Sequence, residues 1–443
     1  MDLSALLPLL GGAAWQAAAF VVALSIIVFV HEFGHYIVGR LSGIQAEVFS
    51  LGFGPVLWSR MDRRGTRWQV AALPLGGFVK FRGDADAASA RAAELEGLSP
   101  AERRATLGGA PLWARTATVA AGPLFNFALS LLVFAAFALV MGVASERPVV
   151  GSVAPLPGFD DTLRPGDVIT ALDGQATPDT ARFAKVAADL PPAPVARYDI
   201  LRDGAALSVQ GPFPLPPRVA GVYPNTAASD AGLREGDVIT ALNGCPVQAF
   251  RQVEQTIRAS EGRPQQLTVW RDGQVFDVTL IPRRSDTPLA DGGFETRWLI
   301  GLSAGLVVTM ETRTPGLVEA VGLSAQMIWN LVSTTLSGLW HMLTGAISSC
   351  NLGGPLRIAE TAGAAASAGT PDFIWMIAAL STAVGLMNLF PIPVLDGGHL
   401  MVYLYEAIAR RPPTERVMQR ITAIGLTLVL GLMIFALTND LFC

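Results

Sequence analysis

Four stretches of the chain are apolar almost without interruption: about 15–38, 117–143, 373–394 and 421–437. The first three are near or above the roughly 20 residues that carry a helix across a bilayer, and the fourth is shorter. Together they predict four membrane spans. A further apolar stretch, Val318 to Ile347, contains Glu319, Gln326, Asn330 and His341 together with Trp329 and Trp340. That mixture predicts an amphipathic segment on or near the membrane.

Between the second and third spans one pattern occurs twice. Leu163-Arg-Pro-Gly-Asp167-Val-Ile-Thr-Ala-Leu-Asp173-Gly174 recurs as Leu233-Arg-Glu-Gly-Asp237-Val-Ile-Thr-Ala-Leu-Asn243-Gly244. Each copy predicts a Gly-Asp turn, a short strand, and an Asp-Gly or Asn-Gly hairpin turn. The spacing is that of small domains rather than solenoid units. A second β-like region lies between the first two spans, where Phe49 to Pro55 and Arg67 to Lys80 are apolar and rich in glycine. Such strands beside a membrane site offer a backbone edge to an unwound peptide, or form a hairpin that merely anchors at the interface; the residues leave both open. The expected organisation is a membrane domain over 1–145, repeats over 146–215 and 216–285, a linker with the amphipathic helix over 286–371, and a second membrane part over 372–443.

Composition agrees with a membrane protein. Of 443 residues, 51% are hydrophobic and 15% charged, well under the usual quarter, and the mean hydropathy is +0.43. The net charge of −4 gives no sign of nucleic-acid binding. Cys245, Cys350 and Cys443 are far apart and fit no metal or disulfide pattern. Asp2 is the one charge before Glu32, so the first span is expected to be retained, with the N-terminus away from the cytoplasm. Arg40, Arg60, Arg63, Arg64, Arg67, Lys80 and Arg82 mark the first connection as cytoplasmic, and Arg410, Arg411, Arg416 and Arg420 mark the third. The repeats and both termini are then extracytoplasmic, and the active site lies toward the cytoplasmic side.

The chemistry is concentrated in His31-Glu32-Phe33-Gly34-His35, at the end of the first apolar run. Residues four apart share a helix face, so His31 and His35 can hold one metal ion. Glu32 stands beside that ion, where it can take a proton from water. Ionisable groups at membrane depth are costly and mark function. A catalytic zinc site needs a third protein ligand. Asn388-Leu-Phe-Pro391-Ile-Pro393-Val-Leu-Asp396-Gly-Gly-His399 supplies two rivals, Asp396 and His399, and ligand chemistry allows either. Pro391 and Pro393 prevent a regular helix, and Gly397 and Gly398 permit close approach. His341 is expected to be structural. Were the metal to polarise a substrate carbonyl, help is expected from Asn126 or Asn388. A membrane scaffold with a structural zinc is the non-enzymatic rival, and a metal transporter is disfavoured by the single ionisable cluster.

These motifs together resemble the site-2 proteases, with a match over nearly the whole chain. The resemblance rests on His31 to His35, on Asn388 to Gly398 with its Leu395-Asp396-Gly397 core, on Gly122-Pro-Leu-Phe-Asn126, and on Leu352 to Pro355. Gly52-Phe53-Gly54 and Pro74-Leu-Gly-Gly77 resemble the family's membrane-reentrant β region. The repeats resemble PDZ domains of bacterial proteases. The second copy matches better, since Phe159-Asp-Asp-Thr162 replaces the small-residue segment in the first. The resemblance implies a multi-pass helical membrane protein of the bacterial inner membrane, with a membrane-associated β region and two extracytoplasmic PDZ-like domains. It implies a zinc metalloprotease that cuts single-span membrane substrates such as trimmed anti-sigma factors and leftover signal peptides. Asp396 becomes the third ligand beside His31 and His35, and Asn388, Pro391 and Pro393 contact or position substrate. The PDZ-like pair filters substrates by size or binds peptide termini, and membrane lipid surrounds the spans.

Overall fold

A computed structural model describes residues 12–83, 98–159, 162–289 and 293–442. Asp2 and the Asp160-Asp161 pair lie outside the described residues. The chain forms two compact units, one of Met1–Phe137, Val318–Met342 and Ser348–Cys443, the other of Ala138–Leu317 and Leu343–Ile347.

The first unit begins with helix α1 (Gly12–Leu41), then strands β1 (Ala46–Met61) and β2 (Arg67–Phe81), a short α2 (Pro100–Arg104) and the long α3 (Leu112–Met141). α1 and α3 are apolar on most faces. Val22, Ile26, Leu124 and Leu132 are exposed, as lipid-facing positions are. Where the two helices meet, side chains are small. A Cβ on Gly34 would strike the Ala121 carbonyl, so only glycine permits that approach. β1 and β2 pair antiparallel and fold over each other. Phe49 faces both Val79 and Trp68, and Leu51 faces both Gly77 and Val70. Trp58 and Arg60 in the second half of β1 face Val70 and Trp68. Residues 77–81 are therefore left on the outside of the sheet. Their inner side packs on α1 through Tyr36, Phe49, Val79 and Phe81.

The second unit holds the repeats. The first runs β3 (Val143–Ala144), β4 (Val150–Val153), β5 (Val168–Leu172), β6 (Gln175–Ala176), α4 (Thr180–Asp189), β7 (Val195–Arg202) and β8 (Ala205–Pro212). The second runs β9 (Val219–Val222), α5 (Ala227–Asp230), β10 (Val238–Leu242), β11 (Cys245–Pro246), α6 (Phe250–Ala259), β12 (Gln265–Arg271) and β13 (Gln274–Leu280). Strand order is the same in both, β6-β5-β7-β8 and β11-β10-β12-β13. Asp173-Gly174 and Asn243-Gly244 have φ of 46° and 78°, and 51° and 78°, the left-handed pair a two-residue hairpin requires.

The Asp of the repeated motif has a structural task. Asp167 accepts from the Arg164 N–H and from two nitrogens of Arg202 at 2.7 Å. Asp237 repeats this with Arg234 and Arg271. Burial opposes the Asp167 charge, but the hydrogen bonds from Arg202 and Arg164 outweigh it and hold the carboxyl below its usual range. Asp167→Asn is expected to destabilise this repeat by about 3 kcal/mol, because Arg202 loses its buried partner. The contribution is complete above the unfolded-chain pKa of about 3.9 and is lost as pH falls through the lower folded value. Thermal melts of both proteins between pH 7 and pH 3 check this; equal melting temperatures at pH 7 would refute it.

The segment expected as linker does more than link. β14 (Arg283–Pro288) and β15 (Phe294–Leu299) form a hairpin. β16 (Leu302–Ala304) then pairs with β9 of the second repeat, β17 (Val308–Met310) with β4 of the first, and β18 (Thr312–Arg313) with β3. Val307 and Val308 are buried in the first repeat's core. The first repeat is thus completed by chain from beyond the second, and the second lies nested inside it. A sequence boundary near residue 285 falls too early.

The rest of the chain is helical: α7 (Leu317–Leu343), α8 (Pro355–Ala368), α9 (Thr370–Asn388), α10 (Asp396–Ala409) and α11 (Glu415–Phe442). Among described residues, the helices long and apolar enough to cross a membrane are α1, α3, α9 and α11, the last over Arg416–Phe442. All four expected stretches therefore form helices of spanning length and composition, with corrected ends. The third stops at Asn388 rather than Val394, because Pro391 and Pro393 cannot continue it. The fourth is longer than its apolar centre suggested. α8 packs its Ala362, Gly363 and Ala366 against Trp15, Ala19 and Ala23 of α1. The Trp15 indole donates to the Gly363 carbonyl at 3.2 Å. Asp440 caps α8, accepting from Gly354 N–H at 2.7 Å and Leu356 N–H at 3.0 Å. Cys350, just before this helix, is disulfide-bonded, whereas Cys245 is free and exposed. Spacing along the chain did not show that bond, because tertiary packing rather than spacing brings thiols together.

Candidate metal centre and active-site cavity

His31 and His35 lie one helical turn apart on α1, and their Nε2 atoms are 3.2 Å apart. Asp396 opens α10, which follows the turn that Pro391 and Pro393 create. In that turn Val394 has φ of 97°, costly for a β-branched residue at about 1–3 kcal/mol. Gly397 and Gly398 have no room for a Cβ against the carbonyls of Leu389, Phe390 and Ile392. The tight turn delivers Asp396 Oδ2 to 3.1 Å from His31 Nε2 and 3.4 Å from His35 Nε2.

These three separations test the fit of a metal. Ligand distances of about 2.0–2.1 Å in a tetrahedral zinc site imply ligand atoms about 3.3 Å apart. The observed 3.1, 3.2 and 3.4 Å match. Proton placement agrees. His35 Nδ1–H donates to the Thr118 carbonyl at 2.9 Å, which leaves Nε2 as a lone pair. His31 Nδ1 is 3.2 Å from the Asn126 side-chain amide, whose oxygen is buried without a partner when its nitrogen faces the ring. Turning that amide over, which leaves its shape unchanged, gives the His31 Nδ1–H an acceptor and exposes a second Nε2 lone pair. Asp396 Oδ2 is then a buried anionic oxygen with no hydrogen bond, facing two lone pairs. A cation at the centre resolves all three. Among described residues, this is the group of His, Cys, Asp and Glu side chains whose ligand atoms converge within 4.8 Å.

α3 supports the site along one face. Arg115, Thr118, Gly122 and Asn126 recur at helical spacing. Gly122 touches both imidazoles: a Cβ there would sit 2.3 Å from His35 Nε2. α10 answers with Asp396, His399, Tyr403 and Glu406 on one face. Arg115 grips both Glu406 carboxylate oxygens at 2.9 and 2.6 Å and lies 5.2 Å from the Tyr403 ring. This bidentate pair ties the helix carrying Asp396 to the helix that meets both histidines.

Glu32 is outside the ligand group. It lines a cavity of about 250 Å3 with the three ligands, and the Val79 backbone N–H hydrogen-bonds its carboxylate. Gly77, Phe78 and Val79 of β2 form one wall, and Asn388 and His399 form part of another. Asn126 is fully buried against the His31 ring and is not among the residues that line the cavity. Pro391 and Pro393 shape the turn and are not among the lining residues. His399 shares the cavity but is not in the ligand group. The Gly122–Asn126 spacing had pointed to α3; the support from Thr118, Arg115 and Glu406 left no mark in the sequence.

Residues 19–432 match Peptidase family M50. The chain belongs to this family, the site-2 proteases. A Rhizobium meliloti protein named a zinc metalloprotease is 35% identical over 438 residues, 98% of each chain. The regulator of sigma-E protease of Salmonella typhimurium is 33% identical over 461 residues, and that of Escherichia coli 32%, each match covering 96% of this chain and 98% of the relative. This site-2 protease is therefore a zinc metalloprotease, and the scaffold and transporter readings fall away.

Proposed function

We propose that this site-2 protease cleaves peptide bonds within, or at the edge of, the membrane span of single-span substrates. One observation carries the reading: the catalytic cavity lies among apolar helices and is walled by the outer strand 77–81. No described strand pairs with the outer side of those residues. A substrate helix hides its amides in internal hydrogen bonds, and an unwound segment can re-pair them on this edge. The strand also brings the segment alongside Glu32.

His31, His35 and Asp396 hold the zinc, which when bound supplies a Lewis acid that polarises a carbonyl and lowers the pKa of water. Glu32 takes a proton from the attacking water and passes it to the leaving amine as the C–N bond breaks. Asn126 and Thr118 fix the two imidazoles. The Asn388 amide donates one N–H to the Val384 carbonyl at 3.1 Å, which leaves its oxygen and its second N–H to position the substrate backbone.

The names of the sigma-E relatives support an anti-sigma factor, trimmed outside the membrane, as substrate; remnant signal peptides have the same single-span form. The basic loops support a catalytic side toward the cytoplasm of a bacterial inner membrane. The disulfide at Cys350 supports an oxidising compartment for that segment of the chain. By the charge of the loops the two repeats are extracytoplasmic, where they act as PDZ-like domains that hold back substrates with bulky outer domains.

The reading is tested with purified enzyme in proteoliposomes and a single-span substrate in trimmed and untrimmed forms. Trimmed substrate is cut and untrimmed substrate resists. Each Gly→Leu change in the substrate span adds about 1 kcal/mol of helix stability and slows cleavage about five-fold. Rates indifferent to helix stability would count against unwinding onto the strand edge.

A further inference from the structure

We infer that His399 is a catalytic residue of this site, an N–H donor to the carbonyl oxygen as it gains negative charge. The inference rests on the proposed role of Glu32 and adds the group that the reaction lacks. Attack of water on the carbonyl carbon moves an electron pair onto oxygen, and a preorganised donor there lowers the barrier. The side chains expected to supply it are committed elsewhere. Asn126 is sealed behind His31. The Asn388 amide spends one N–H on the Val384 carbonyl of its own helix, which ties its orientation to that helix. The Thr118 hydroxyl donates to the Ala114 carbonyl at 2.7 Å, and the Tyr403 ring lies against Arg115.

His399 lines the same cavity as Glu32 and the ligands, and its ring makes no hydrogen bond to any described residue. It interacts electrostatically with both Asp396 and His35, yet its nitrogens stay outside the converging ligand group. The residue is half-buried, and its ring is available to a group held in that cavity. Its position three residues after Asp396 on α10 explains the placement: Asp396 reaches the metal, and His399 stands one turn along the same face.

The test compares wild type, His399→Leu, His399→Gln and Glu32→Gln on one single-span peptide substrate, with bound zinc measured for each and the affinity of a phosphonate transition-state analogue alongside. His399→Leu should lower kcat about 100-fold with KM nearly unchanged, keep its zinc, and lose analogue affinity in proportion. His399→Gln, which retains an N–H donor, should recover part of kcat. Loss of zinc in both His399 variants would make the residue a ligand and overturn the inference. So would unchanged kcat in His399→Leu while Glu32→Gln is inactive, a result that leaves the role of Glu32 standing. An active Glu32→Gln would instead sink the reading on which the inference rests.

Discussion

Glu32→Gln is expected to leave zinc in place and lower kcat on a single-span substrate by at least about 10³-fold. Glu32 sits beside the ligand group without belonging to it, and glutamine preserves its volume and an oxygen for the Val79 N–H. What glutamine lacks is basicity. It cannot take the proton of the attacking water, nor deliver one to the amine that leaves, so both halves of the reaction suffer. The apolar surroundings offer few substitutes: of the other cavity carboxylates and imidazoles, three make up the converging group His31, His35 and Asp396. Steady-state rates and metal analysis on the same preparation decide it. Residual activity near wild type would move the base elsewhere, and a metal-free variant would place Glu32 among the ligands.

Asp396→Ala is expected to abolish both zinc binding and proteolysis. The two histidines alone leave the metal with half its tetrahedral set, and the loss should far exceed the 10- to 100-fold in affinity that removal of an outer partner costs. The effect should be specific to the site. Asp396 lies at the first turn of α10, and its side chain makes no cap, so the helix itself should persist. Zinc titration against a competing chelator, with circular dichroism as control, reads both properties. Full zinc occupancy in Asp396→Ala, coupled with its loss in His399→Ala, would transfer the third-ligand role to His399.

Much of this was legible in the residues because the signals are local. Apolar runs of span length are read one residue at a time, and all four became helices. The His31–His35 pair needs one helical turn, so spacing alone brings it together. The Asp-Gly and Asn-Gly turns require left-handed backbone, which Gly174 and Gly244 allow. Choosing between Asp396 and His399 was different. Both sit in one motif and both are acceptable ligands, and only the direction of the turn at Val394 decides which reaches the histidines.

The role of Asn126 shows the same limit. Its distance along the chain from His31 says nothing of whether it meets substrate or a ligand; the close packing of α1 on α3 at Gly34 and Gly122 turns it toward His31 Nδ1. The nesting of one repeat inside the other, and the Arg115–Glu406 grip, likewise join residues far apart in the chain. By itself the sequence determined the four span-length apolar helices, the His31–His35 pair on one helix face, the carboxylate beside it and the duplicated β units, because each depends on backbone periodicity within a few residues. Only the tertiary structure decided that Asp396 rather than His399 converges on the two histidines, that the Asn126 amide meets the His31 ring, and which strands complete each repeat, because those depend on contacts between distant segments that no local pattern encodes.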